Sequence, residues 1–262
     1  MKIRIWATFV LTLAAATGGI LYFHHLKMQE NRELARVAPP PAEPAQPRPQ
    51  PDYPVPPPPA DAPPLPALND SDSRVLAAVM ALFGQQRLLP LLLPQELVRH
   101  FVVTVDSLDG EAVQLRDRPL RNVPGLPLVG RSEAGLWWSP DNVRRYQPYV
   151  ALLQAAEPAR MVDVYFRHYP LCQAAYQQLG YRGRSFNTRL VGIIDHLLAT
   201  PVVEGPIELV RPKVLYEFAD PNLEALSWGQ KTLLRMGPDY AAIVMAKLRA
   251  IRAEIIRRGQ QQ

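Results

Sequence analysis

The sequence predicts a mainly α-helical protein in three parts: an N-terminal transmembrane helix, a disordered proline-rich linker, and a compact multi-helix domain with one short β-ribbon. Three observations carry this. Ile5 to Phe23 is apolar and without a charge. Pro39 to Pro66 is about half proline. From Leu68 onward apolar residues recur at helical spacing between caps and Gly/Pro stops. The parts divide as residues 1–4, a cytoplasmic tail; 5–26, the transmembrane helix as a signal anchor; 27–38, a juxtamembrane segment; 39–67, the linker; and 68–262, the helical domain.

The apolar run of 19 residues from Ile5 to Phe23 would span roughly 28 Å as a helix, close to the hydrocarbon thickness of a bilayer. Trp6 and Tyr22 sit near its two ends, where amphipathic rings settle at headgroup level. Ala14-Ala15-Ala16 also resembles a signal-peptide cleavage site. The run continues through Ile20, Leu21, Tyr22 and Phe23, which favours an uncleaved anchor. Basic residues are nearly balanced about the run, and a very short N-terminal tail usually stays inside. The expectation is therefore a bacterial inner-membrane protein, single-pass, with the bilayer as a partner through Ile5–Phe23 and the C-terminal domain in the periplasm.

Pro39 ends any helix continuing from the membrane, because proline lacks the N–H and displaces its predecessor from the α region. Pro39–Pro66 then reads as disordered chain with polyproline II character. Fully extended it would reach roughly 85 Å. A spacer is favoured over a ligand for proline-binding modules.

Within the domain, LNDSDSRVLAAVMALFG carries Asn, Asp and Ser caps, an apolar stripe, and Gly84 as a stop. LLPQELVRHFVVTVDSLDG places Pro94 at the first helical position, with Leu97, Phe101, Val105 and Leu108 as its stripe. Glu111 to Ser139 has no clear period and reads as an irregular loop. SPDNVRRYQPYVALLQA begins another capped, proline-started helix. In EPARMVDVYFRHYPLCQAAYQQLG, one face collects Met161, Val164, Tyr165, His168, Cys172, Ala175, Tyr176 and Leu179, and Pro170 predicts a kink near Phe166. SFNTRLVGIIDHLLAT is a helix ended by Thr200-Pro201. PIELVRPKVLYEF has the β-branched content of a marginal two-stranded ribbon. Two last helices divide at Met236-Gly237-Pro238, and the final one has a narrow apolar seam of Val244, Leu248, Ile251 and Ile255, which suits a partner helix or, the favoured reading, a domain helix packing inward with a solvated basic face.

Composition excludes some functions. Net charge is +5, but from Asn69 onward basic residues exceed acidic ones by only about four, with no clustering along one face, so no nucleic-acid partner is expected. The single cysteine, Cys172, rules out an internal disulfide and a Cys-rich zinc site. No catalytic motif stands out, no cofactor is implied, and no His, Asp or Glu pair has the spacing of a helical metal site.

His168 and Cys172, four apart on one helix, could form a nucleophile pair, but their apolar face favours core packing. Asp195 and His196 read as two solvated polar residues. Trp137, Trp138, Arg144, Arg145, Tyr146 and Tyr149 cluster around a loop and a helix start. Such residues suit peptide or glycan recognition, or else simply roof the core. Glu217, Asp220 and Arg235 form a candidate polar cluster that would pin the ribbon to the Met-Gly-Pro break.

At Gly205 the sequence becomes recognisable. GPIELVRPKVLYEFADPNLEALSWGQKTLLRMGPDYAAIVMAKLRAIR resembles the C-terminal half of the proteobacterial family known as domain of unknown function 3014. LPALNDSD, LVRHFVVTVDSL, YQPYVALL and IIDHLLATPV are similar to it too, so the likeness runs from about Leu65 to Arg252. The resemblance implies membrane anchoring, a proline-rich linker and a helical domain, but no reaction and no catalytic residue. The expected role is a helical binding or assembly domain presented in the periplasm to an envelope protein or cell-wall component. A cell-wall-acting enzyme and a cytoplasm-facing adaptor are the alternatives.

Overall fold

The computed structural model describes residues 53–133 and 135–261. The segment Ile5–Phe23 and the first part of the linker lie outside the described residues. Among the described residues, no helix is long and apolar enough to cross a membrane.

Among the described residues the domain is mainly helical, with nine α-helices and a small antiparallel sheet. The helices are α1 (Asp72–Phe83), α2 (Gln85–Leu88), α3 (Leu97–Ser107), α4 (Val143–Ala155), α5 (Pro158–Gln178), α6 (Phe186–Leu198), α7 (Pro221–Glu224), α8 (Trp228–Arg235) and α9 (Pro238–Gly259). The strands are β1 (Val129–Ser132), β2 (Gly135–Trp138), β3 (Glu208–Val210) and β4 (Glu217–Phe218), in that spatial order.

Helix α5 is the axis of the body, packing against α1, α3, α6 and α9. It carries Val162, Leu171, Cys172, Ala175 and Tyr176 into the interior. Pro170 lies inside it without ending it. The main core joins Val98, Val102 and Val105 of α3 to Leu171 and Tyr176 of α5 and Phe186 and Ile193 of α6. A second cluster packs Val162, Val191, Ile194 and Ile255 between α5, α6 and α9. The seam read from the sequence of α9 is inward-facing: Ile255 is buried, with Val244, Leu248 and Ile251 half-buried against the two cores.

Helix α3 begins three residues later than Pro94 suggests. The Asp72 carboxylate of α1 accepts from the N–H groups of Glu96 (2.7 Å) and Leu97 (2.8 Å), so a cap borrowed from another helix sets the start. Glu96 adopts a left-handed conformation to make that approach (φ 48°), which a non-glycine residue tolerates at a cost of roughly 1 kcal/mol.

The sheet extends the expected ribbon. β3 and β4 pair as read from the sequence, Leu209 opposite Phe218. The supposed loop before Ser139 also contributes β1 and β2, a hairpin with Gly130 opposite Trp137, and β2 then pairs with β3 through Leu136 and Leu209. Leu209, Phe218 and Leu234 of α8 form a third cluster on the inner face, with Val129, Leu136 and Trp138 against it.

Residues 53–67, expected to be free tether, instead run along the helical body. Tyr53 packs on the second cluster and Leu65 on the first. Composition favours an extended chain there, but contacts with α5, α6 and α9 hold it in place.

Near its C-terminal end, α9 is tied to α5 by Arg258, which reaches Asp163, while Glu254 accepts from Arg257 and Arg258 within α9 itself. The Arg257 and Arg258 guanidiniums hold the Glu254 carboxyl down at about 2. A carboxyl lowered by folding stabilises the fold above its ordinary value of about 4.3, and that contribution disappears as pH falls from there towards 2. An NMR titration of the Glu254 carboxyl is expected to show a midpoint near 2; one above 4 would show the pairing absent in solution.

Candidate functional site

The aromatic and Arg cluster sits where the 108–128 loop, the sheet and α4 meet, and most of its polar groups act as clamps. Arg145 donates to the carbonyls of Pro124 (2.9 Å) and Gly125 (2.8 Å) and to Asn142 Oδ1 (2.9 Å). The Tyr149 hydroxyl shares its proton between the carbonyls of Arg121 (3.0 Å) and Asn122 (2.9 Å). Burial pushes its phenol up, against the opposing charge of Arg121. Tyr146 is buried, and burial raises its phenol as well, opposed by Arg235 and Arg145. Arg144 alone points away, with its side chain 82% exposed and a loose 3.6 Å pairing to Asp141.

The two tryptophans part company, as neighbours on a strand must. Trp138 faces inward and its Nε1 donates to the carbonyl of Arg235 (2.9 Å), tying β2 to the end of α8. Trp137 lies on the outer face, half-exposed, with its indole flat across Gly130. A Cβ on Gly130 would fall 2.1 Å from Trp137 Cε2, so only glycine permits this seating.

Asn142, which sequence reasoning passed over, is the hub of the region and has no exposed surface. Its amide donates to the carbonyls of Leu128 (2.6 Å) and Ser139 (2.9 Å) and accepts from Leu128 N–H (2.9 Å) and Arg145. Arg118 does similar work on the loop's other limb. It donates to the carbonyl of Val113 and to Asn122 Oδ1, with its guanidinium 4.7 Å above the Trp228 ring.

The second candidate cluster assembles differently from the expectation. Arg235 stacks 5.4 Å over the Phe218 ring, and burial lowers its pKa, opposed by Tyr146 and Glu224. The carboxylate near it is Glu224, not Glu217 or Asp220. Glu224 accepts from Lys231 (2.7 Å) and from Phe218 N–H (2.8 Å). Burial pushes its carboxyl up, but these donors outweigh it and the net shift is downward. Asp220 caps α7 by accepting from Asn222 N–H (2.8 Å), and Glu217 pairs with Val210 at the sheet edge. Among the described residues neither pairs with Arg235: Glu217 is committed to the β4 edge strand and Asp220 to the cap of α7.

His168 and Cys172 are both buried. His168 Nδ1 donates to the carbonyl of Val164 (2.8 Å), and burial lowers the imidazole pKa. Burial pushes the Cys172 thiol up to about 12. A thiol held neutral and enclosed is expected to react with a maleimide only as fast as the domain opens; modification within seconds under native conditions would contradict this. Asp195 and His196 are more engaged than expected: Asp195 pairs with Arg252 of α9, and His196 Nε2 lies 2.9 Å from Ser227 Oγ. Among the described residues, no group of three His, Cys, Asp or Glu side chains is placed to hold a metal ion.

Fold and site together define a helix-dominated domain capped by a small sheet, its conspicuous polar side chains bound to its own backbone. The chain belongs to the family described as Protein of unknown function (DUF3014), whose profile matches residues 97–252. The match ends at Arg252, where the likeness read from the sequence ends, and begins at Leu97 instead of near Leu65. No curated protein and no solved structure matches the chain.

Proposed function

We propose that this is a single-pass inner-membrane protein that presents a helical binding or assembly domain in the periplasm, and that the sheet end of the domain is its contact surface. The observation that carries the anchoring is the uncharged run Ile5–Phe23 ahead of the proline-rich segment. The contact surface is supported by where apolar side chains stay exposed. Leu126 and Leu128 before β1, Val202 before β3, and Val210, Val214 and Leu215 in the β3–β4 hairpin are all exposed, in the segments around half-exposed Trp137. Apolar exposure gathered in one region is a mark of an interaction site.

The test uses the full chain in intact cells. A reporter enzyme active only outside the cytoplasm, fused after Gln262, is expected to be active; a stable but silent fusion would overturn the topology. A photo-crosslinking residue at Val214 is expected to give a discrete adduct that one at Ala242 on the helical body does not. Identical patterns from the two positions would overturn the contact surface.

A further inference from the structure

Residues 53–67 lie against α5, α6 and α9. A proline-rich extended chain offers carbonyl acceptors and few N–H donors. The face it lies on answers with donors. Asn187, with no exposed surface, donates from Nδ2 to the carbonyl of Tyr53 (2.8 Å). Its Oδ1 is taken by the Tyr165 hydroxyl (3.0 Å), so the amide is locked with its N–H₂ aimed at the bound chain. Further along, Arg167 of α5 donates to the carbonyl of Pro63.

Shape agrees with the hydrogen bonding. The Tyr53 side chain sits on the cluster of Val162, Val191, Ile194 and Ile255. Gly259, buried at the end of α9, lets the backbone of Pro54 approach so closely that a Cβ would lie 2.7 Å from its carbonyl oxygen. At the far end Leu65 docks on the main core. An aromatic anchor, backbone carbonyls read by fixed donors, and a second apolar anchor are the elements by which proline-rich segments are recognised.

We propose that the face formed by α5, α6 and α9 is a recognition groove for an extended, tyrosine-led proline-rich chain, and that Tyr53–Leu65 is its resident ligand in cis. A second copy of the protein carries the same segment, so the groove is suited to exchange that segment between copies. Docking in cis sets a bound on affinity. A short tether supplies an effective concentration in the millimolar range, so a segment that binds in trans more weakly than about 1 mM would stay mostly undocked in cis.

The probe is a labelled peptide with the sequence of residues 53–66, titrated into the full chain. Wild type is expected to bind it poorly, because the groove is filled. Tyr53→Ala, which weakens the resident segment, is expected to bind it at least ~10-fold more tightly, with a Kd below about 1 mM. Adding Arg167→Ala to Tyr53→Ala is expected to weaken that binding several-fold, as loss of a charged hydrogen bond should. Adding Asn187→Leu is expected to weaken it further. Arg167 lies in none of the three buried clusters, so its variant keeps the test decisive should Asn187→Leu not fold. Equal binding to wild type and Tyr53→Ala, no binding by Tyr53→Ala below about 1 mM, or indifference to Arg167→Ala would each overturn the proposal.

Discussion

Replacing Phe186 by Ala is expected to lower the unfolding free energy by about 3–5 kcal/mol, the range found for deleting a fully buried aromatic side chain. The ring has no exposed surface and stands at the centre of an aromatic group, with Tyr176 at 5.5 Å, Phe101 at 5.9 Å and Tyr165 at 6.4 Å between ring centroids. Those rings belong to α3 and α5, so the cavity would open where three helices meet. The neighbours are held from other sides and cannot collapse inward fully, which places the effect towards the upper part of the range. Thermal denaturation should show a drop in Tm of roughly 10 °C for a domain of this size. A drop of under 3 °C would mean that the site closes over the lost ring.

Asn142→Ala is expected to cost about 3 kcal/mol, because it frees several backbone groups at once. The carbonyls of Leu128 and Ser139 and the N–H of Leu128 would all lose their partner, and Arg145 would lose one of its three anchors. The damage should be regional. Amide exchange at Leu128 and through β1 should accelerate far more than exchange in α5. Uniform loss of protection, or stability within about 0.5 kcal/mol of wild type, would contradict the role of Asn142 as a hub.

Much of the helical body was legible in the sequence because its signals are local. Stops such as Gly84 after α1 and the Gly237-Pro238 break before α9 act within one turn, and apolar spacing then marks the buried face. The β3–β4 ribbon was legible for the same reason. What escaped depends on partners distant in the chain. The start of α3 is set by Asp72, 25 residues before Leu97. β2 gains its stability from pairing with β3, some seventy residues on, and β1 from pairing with β2, while their own Gly-containing composition gives no period.

The candidate site was legible as a neighbourhood but not as chemistry. Trp137, Trp138, Arg145 and Tyr149 do converge with the long loop. Their acceptors, however, are largely backbone carbonyls, which every residue possesses and which therefore leave no pattern to read. Asn142 was overlooked for that reason, and Glu224 because one of its donors is a backbone N–H, that of Phe218, which leaves no more pattern than a carbonyl does. Composition likewise revealed that residues 53–67 would be extended, but not that Asn187, 134 positions later, would hold them.

The close approach of Pro54 to Gly259 has a consequence for connectivity. The stretch that leads into the domain and the helix that closes it share one pole of the helical body. Loops elsewhere are then free to serve as new ends: a circular permutant joining that pole by a short linker and opening in the exposed 211–215 turn should keep the fold. The same geometry puts α6, which holds Tyr53 through Asn187, and α9, which abuts Pro54, first in line for a pull on the leading chain, so tension applied there would be borne by these helices before it reached the sheet.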